Sequence, residues 1–384
     1  MLCFSSYYMI TIKEITSKGD LTTFVKFPFQ LYKDSPYYVP SIIKEELDVM
    51  NPQKNPVFKN ADAKYFLAYK NNVIVGRIAA IINWIEVKEQ KKPKVRFGWF
   101  DVIDDIEVTK ALLKKVGEYG AKHDLTYMEG PVGFSNMDKA GILIKGFDEL
   151  NTMITWYNYP YYAKHMEELG FEKAATWVEY KIKVPKETKE KVIKFSQIIK
   201  ERYQLKLLKF NKSKELLVYA DDMFDLLNKT YSSLQTFVPI QPYQIEMYKK
   251  KYLPYLNPEY ITCIADKEGK LIAFSIVMPS FSKALKKMNG KIYPLRFLHI
   301  LKAQRRNDTA AFYLIGVDPE YQNKGVTALI FKEMNEAFIR NGIEVVETNP
   351  ELEENKAIQA LWNGYEHEQH KKRRTFRKEL KDLS

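Results

Sequence analysis

Apolar residues recur along the chain with two periods, and the same succession of periods occurs twice. Residues 65–82, YFLAYKNNVIVGRIAAII, read as an apolar strand, an Asn71-Asn72 turn and a second apolar strand. Residues 260–278, YITCIADKEGKLIAFSIVM, repeat that plan around a turn at 267–270. Turn chemistry and β-branched content predict a hairpin in both. A helical pattern precedes each hairpin, at 21–31 and 216–231, and a further strand follows, at 95–102 and 311–317. Amphipathic helices come next, at 108–123 and 327–341, and then strands at 125–129 and 343–348. An offset of about two hundred residues marks a duplicated domain and not a short-period solenoid. The charged run KVPKETKEK at 183–191 reads as an exposed linker, so the predicted domains are 1–184 and 185–384. Strands alternating with helices predict an α/β fold, with a mixed α+β sheet flanked by helices in each half.

Composition narrows the class. With 46% apolar residues in 384, the chain is no disordered segment and can bury a core in each half. Two cysteines, Cys3 and Cys263, exclude a disulfide framework and a four-cysteine zinc site, and no histidine spacing fits a metal. No apolar run approaches the roughly 18 residues of a spanning helix. Residues 1–9 lack the basic start and apolar stretch of a signal peptide, so the expected location is cytoplasmic. The net charge is +12, and almost all of the excess lies in the second half. Such asymmetry points to an anionic partner there: phosphates, nucleic acid or a membrane surface.

The segment FYLIGVDPEYQNKGVTALIFKEMNEAFIR, residues 312–340, carries the chemistry. A strand ends at Val317, and Pro319 stops further pairing by removing a donor. Gln322, Asn323, Lys324, Gly325, Val326 and Thr327 then lead into a helix. Glycine at a helix mouth lets successive N–H groups converge, and the positive end of the helix makes an anion site. Lys324 adds charge. The pattern predicts a cradle for a pyrophosphate.

Val317-x-Pro319-x-x-Gln322-x-x-Gly325-Val326-Thr327 resembles the acyl-CoA-binding motif of the GNAT N-acyltransferase superfamily, Q/R-x-x-G-x-G/A. Thr327 departs from it, standing where Gly or Ala is usual. The run from Asn355 to Trp362 is similar to the family's next helix, with Trp362 where a tyrosine general acid often sits. The resemblance implies two tandem GNAT-like folds and a CoA thioester, acetyl or long-chain, as co-substrate. The first half resembles the same fold without the cradle: its connection at 103–107, IDDIE, has three acids and no glycine. Carboxylates there repel a pyrophosphate. NPQKNP at 51–56, GRIAAI at 76–81, residues 129–148, YNYPYY at 157–162 and the terminal ALWNGYEHEQHKKRR run resemble the YghO-like bacterial family. That family contains tandem-GNAT proteins and bacterial ceramide synthases, which acylate a sphingoid-base amine.

Position along the predicted elements offers candidates for the remaining roles. Glu347, near the end of a strand beside the loop, is a candidate general base, and its alternative is a strand-edge carboxylate facing a lysine. Tyr365, one turn beyond Trp362, is a candidate replacement acid. Asn349 and Asn355 are candidate donors to the pantetheine arm or, equally, a turn residue and a helix cap. Ser135, Asn136, Asp138 and Tyr162 are candidate substrate contacts in the first half, in a long loop and an aromatic stretch that also suit lobe packing. The incoming amine is cationic at neutral pH and must lose a proton, whereas a departing thiolate of pKa about 8.5 needs little help. A base therefore matters more than an acid, and Trp362 does not exclude catalysis.

Three functions compete. One is an acyltransferase that moves an acyl group from acyl-CoA or acyl-carrier protein to an amine. Another is a non-catalytic GNAT-like sensor or regulator. The third is a nucleic-acid binder resting on KKRRTFRK at 371–378, against which stands a final strand with a solvated basic face. Residues 280–308 form an insertion between strands, rich in Lys and Arg interleaved with apolar residues, with Asp308 the one acid. It reads either as a contact with the inner membrane surface and a lid over a lipid substrate, or as a helix packed on the other lobe.

Overall fold

The computed structural model describes residues 9–135, 137–232, 237–252 and 256–383. The first half opens with β1 (Ile10–Glu14), α1 (Lys18–Leu31) and α2 (Ile43–Val49). Strands β2 (Ala61–Lys70), β3 (Val73–Asn83) and β4 (Lys94–Val102) lead to α3 (Ile106–Ala121). The half closes with β5 (Tyr127–Gly130), β6 (Ile142–Lys145), α4 (Tyr161–Glu168) and β7 (Glu172–Lys183). In the second half come α5 (Glu190–Arg202), β8 (Lys206–Leu208), α6 (Ala220–Tyr231) and α7 (Pro242–Lys251). Then follow β9 (Ile261–Ala265), β10 (Leu271–Pro279), α8 (Ser282–Met288), α9 (Leu298–Arg305) and β11 (Thr309–Val317). The chain finishes with α10 (Thr327–Arg340), β12 (Val345–Thr348), β13 (Glu351–Leu352), α11 (Lys356–Gln359) and β14 (His367–Glu379).

Local chemistry accounts for these boundaries. Asn71 and Asn72 adopt φ of 52° and 63°, the left-handed pair that a two-residue hairpin turn demands. Helix α1 is capped by the Ser17 hydroxyl, which accepts from the Asp20 N–H. Leu112, Leu113 and Val116 of α3 bury against Ile78, Val95 and Val102, and Leu329, Ile330, Met334 and Phe338 of α10 do the same over the second half. Among the described residues no helix is long and apolar enough to cross a membrane.

All strands join one mixed sheet, whose main order is β1-β2-β3-β4-β5-β14-β7-β12-β11-β10-β9-β8. Strand β14, the last in the chain, lies in the first half's territory, antiparallel to β5 on one side (Phe376 opposite Gly130) and to β7 on the other. Strand β7 in turn pairs with β12 of the second half, Val345 opposite Lys183. The linker at 184–189 separates the halves in sequence, but their closing strands sit side by side in the middle of a shared sheet.

That position corrects the expectation of a solvated basic face at 371–378. The strand is there, yet Lys371 and Arg373 are fully buried. Arg373 Nε donates to Glu179 at 2.6 Å, and its other nitrogens reach the Trp156 carbonyl and Asn151 Oδ1. Lys371 Nζ donates to the Leu150 carbonyl at 2.9 Å. A guanidinium with fixed partners on several elements locks the seam; removing one member of such a buried pair strands the other charge.

Arg373→Ala is expected to cost about 3–5 kcal/mol in urea unfolding, and Arg373→Met with Glu179→Leu to recover most of it. A loss in the single variant no larger than that of an ordinary surface change contradicts this role. Residues 1–184 expressed alone lack β14 and expose the edges of β5 and β7. They are expected to aggregate by size-exclusion chromatography, and to become soluble when co-expressed with 185–384.

Candidate active site

The pyrophosphate cradle is built at the end of β11. Asp318 turns the chain by accepting the Glu320 N–H at 3.0 Å, and Lys229 neutralises its carboxylate at 2.9 Å. Gln322 folds back, its side-chain amide donating to the Val317 carbonyl at 3.1 Å. Asn323 and Gly325 both take left-handed backbone, φ 60° and 79°, and Val326 starts α10 without a capping side chain. Lys324 is exposed beside the loop, over the rings of Tyr203 and Tyr321. An uncapped 14-residue helix with a lysine at its mouth is suited to an anion. The glycine has a second reason: a Cβ at Gly325 would lie 2.9 Å from Phe195 and 3.2 Å from Ile199 of α5.

The first half shows the same junction closed. Helix α3 is capped by its own Asp105, which accepts the Glu107 N–H and pairs with Lys70 at 2.8 Å. At the end of β4, the Val102 N–H donates to Tyr162 Oη and the Val102 carbonyl accepts from Tyr161 Oη. Tyr162 also shares a 2.7 Å hydrogen bond with Tyr32 and is fully buried. Its phenol thus plugs the first half's own strand end and does not face a substrate.

Beyond the cradle, β11 and β12 run parallel from Thr309–Val345 to Phe312–Thr348 and then part. Strand β11 continues to Val317, while the other chain bends at Asn349-Pro350 so that Glu351 pairs with Val178 of β7. A cavity of about 210 Å³ fills the split, walled by Phe312, Ile315, Asn349, Glu351, Asn355 and Trp362 among others. The register of β10 against β11 shifts here, leaving Tyr313 as an extra residue that reaches this wall.

Glu351 is the ionisable group that the sequence reasoning missed. It is buried in the slot wall and accepts from Trp362 Nε1 at 3.0 and 3.3 Å. Burial pushes its carboxyl up to about 7, against the opposing pull of the Trp362 and Thr348 hydrogen bonds. A carboxylate poised near neutrality is a competent proton acceptor. Glu347, the candidate base, lies four residues earlier, with Lys371 Nζ at 3.6 Å; it lines neither this slot nor the chamber beside it. Tyr365, the candidate acid, packs on Phe331 and accepts from Asn335 of α10 at 3.1 Å, again outside the slot. Asn355 does line it, while its Oδ1 caps α11 through the Ile358 N–H.

The slot shares Met137, Trp177, Leu227, Tyr313 and Asn349 with a chamber of about 600 Å³ between the two halves. That volume is within the usual range for small-molecule sites. Its walls are largely apolar and rich in methionine, with Met137, Met153, Met223, Met247 and Met278 beside Phe224, Phe274 and Leu256, and they carry the charged residues Glu45, Asp48, Lys54 and Lys251. Ser135 and Asp138 supply a polar spot. Asp138 accepts from the Ser135 N–H at 2.8 Å and the Ser135 hydroxyl at 3.1 Å, and burial raises its carboxyl. Asn136, between them, lies outside the described residues.

Comparison with known proteins accords with this geometry. The acetyltransferase (GNAT) family profile matches residues 220–365. Protein YghO of Escherichia coli K12 is 24% identical over 380 residues, spanning 97% of this chain and 96% of that protein. The bacterial ceramide synthase of Caulobacter vibrioides is 21% identical over 320 residues, 82% of each chain. A tandem GNAT protein from the clavulanic acid biosynthesis pathway superposes with a TM-score of 0.55 at 12% identity, covering 97% of this chain and 99% of that one. Duplicated halves, one open cradle and similarity along almost the whole length make this chain similar to YghO and the bacterial ceramide synthase in sequence, and to tandem GNAT proteins in fold.

Proposed function

We propose that the protein is an N-acyltransferase that moves the acyl group of a CoA thioester to the amine of a lipid-like acceptor. The observation that carries this reading is the junction of a narrow slot holding Glu351 with a wide apolar chamber. The CoA pyrophosphate rests on the backbone of residues 322–327, and the pantetheine arm runs down the slot beside β11 toward Asn349 and Asn355. An acyl-carrier-protein thioester presents the same arm. The acceptor lays its alkyl chain among the methionines, as a sphingoid-type amine would, with Ser135 and Asp138 near its polar end. Apolar walls of flexible thioethers suit a long, variable chain.

Chemistry then follows from proximity. Glu351 as carboxylate takes one proton from the ammonium; the neutral amine attacks the thioester carbonyl carbon; the C–S bond breaks, and the second proton passes from the attacking nitrogen to the departing sulfur, so that an amide forms and CoA leaves as the thiol. Holding amine and thioester together is worth roughly 7–11 kcal/mol, and the proton acceptor adds roughly 10²–10⁴-fold. Backbone N–H groups at the splayed β11 polarise the carbonyl. With a lipid acceptor, the working place is the cytoplasmic face of the inner membrane. A ligand sensor remains the competing reading, favoured by Trp362 standing where many relatives of this fold carry a tyrosine.

Calorimetry is expected to give one CoA site per chain, weakened about tenfold or more by Lys324→Glu through charge reversal beside the pyrophosphate. Two equivalents per chain contradict the reading of the first half as closed. Glu351→Gln tests the base. Because its carboxyl is raised and acts when ionised, wild-type turnover of amine and acyl-CoA is expected to climb through about pH 7. The variant should lose about 10²–10⁴-fold in kcat and that limb of the pH profile, keep its CoA affinity, and regain part of the rate as Glu351→Asp. An unchanged rate and profile sink the assignment, and no turnover in the wild type with any long-chain amine supports the sensor.

A further inference from the structure

We propose that the insertion between β10 and β11 is a membrane-docking face for an anionic bilayer, set against the wall of the interlobe chamber. Its first part is anchored on the first half. Leu285 and Met288 of α8 bury against Val39, and Lys286 donates to the Pro36 carbonyl. The Ile43 N–H donates to the Gly290 carbonyl at 3.0 Å, and a Cβ on Gly290 would stand 2.5 Å from the Phe29 ring. The next residues are held out by that anchor. Arg296 donates to the Met288 carbonyl at 2.7 Å, and Leu295 keeps a left-handed φ of 57°, a conformation rare for a branched residue.

What this support displays is apolar. Tyr293 is 74% exposed, Leu295 68%, Leu298 48%, Leu301 40% and Phe297 38%. Five large exposed apolar side chains fall within nine residues, a concentration beyond the single scattered apolar residues of ordinary surfaces. Lys287, Lys291, Lys302, Arg305 and Arg306 flank it along the chain, and the sequence has no acidic residue from 280 to 307. The mixture of aromatic, aliphatic and basic side chains fits the headgroup region of a negatively charged leaflet. A second copy of the chain fits badly, because a two-fold interface sets the same lysines and arginines against each other.

The face also leads to the chamber. Met153 packs with the insertion's apolar cluster and lines the chamber. Helix α2, held by Gly290, contributes Glu45, Asp48 and Val49 to the same wall. A bilayer-borne acceptor therefore has a short route past Met153; this step rests on the acyltransferase reading, whereas the docking face does not.

Co-sedimentation of the full chain with phosphatidylcholine vesicles, with and without phosphatidylglycerol, tests the surface. Partitioning is expected to be about tenfold or more stronger on the anionic vesicles and to weaken with salt. Leu295→Glu combined with Leu298→Glu should abolish it while leaving the melting curve and CoA affinity unchanged. Absence of binding, equal binding to both vesicles, or full binding by the double variant overturns the proposal. So does sedimentation velocity showing wild-type dimers that the variant lacks. Vesicle binding without acyl transfer strikes the catalytic reading alone, and the docking face stands.

Discussion

The antiparallel pairing of β7 with β14 is the constraint on which the rest of the molecule depends. Each half of a duplicated fold needs a closing strand, and here each closing strand is flanked by the other half's strands. The two sheets consequently become one, continuous from β1 to β8. The chamber exists because of that fusion. Its walls come from α2 and the 134–140 loop on one side and from α6, α7 and β10 on the other. Polar groups fasten the seam beside its apolar residues: Arg373 and Glu179, both fully buried, tie β14 to β7 and to the loop that carries Trp156. Buried pairs are weak evidence for stability, but their directional bonds specify register, and a one-residue slip here would turn every side chain of β14 to the opposite face.

Duplication has left the two strand ends in opposite states. At α10 the helix mouth is uncapped and Lys324 stands by, so a ligand can supply the missing negative charge. At α3 that charge is already supplied by Asp105, and tyrosines from α4 satisfy the backbone of Val102. The first half spends the same architecture on internal packing. Its loop at 131–140 then serves as a wall for the second half's site.

Much of this order is legible from local chemistry. Both hairpins, the Asn71-Asn72 turn, the helix after residue 326 and the Gln322–Thr327 loop follow from periodicity and turn residues, which act within a few positions. Strand exchange has no local signature: β14 carries the alternation of an ordinary strand, and only its partners, far away in sequence, decide that Lys371 and Arg373 are interior. The same limit explains why Glu347 stood out in the sequence and Glu351 did not. Glu347 sits on β12 in plain sight, whereas Glu351 follows a Pro350 bend that moves the chain from one partner strand to another. Alternation predicts facing only while a strand continues. Tyr365 fails for a related reason, since the chain from 360 to 364 tightens into a 3₁₀ turn and leaves Trp362, not Tyr365, toward the slot.

The slot's electrostatics argue that its carboxylate is tuned. Glu86 and Glu351 are both buried glutamates, and burial acts on each in the same direction. In Glu86 the neighbouring Arg96 and Lys94 overcome it and bring the carboxyl down to about 2. In Glu351 the opposing groups are neutral hydrogen-bond donors, Trp362 and Thr348, and the carboxyl stays at about 7. A cation beside Glu351 would lower its carboxyl, and loss of the Trp362 hydrogen bond would raise it further. The indole donates its hydrogen bond without adding a charge and fills the slot's end against Phe312 and Phe331, whereas a lysine there would hold the carboxyl low as Lys94 and Arg96 hold Glu86.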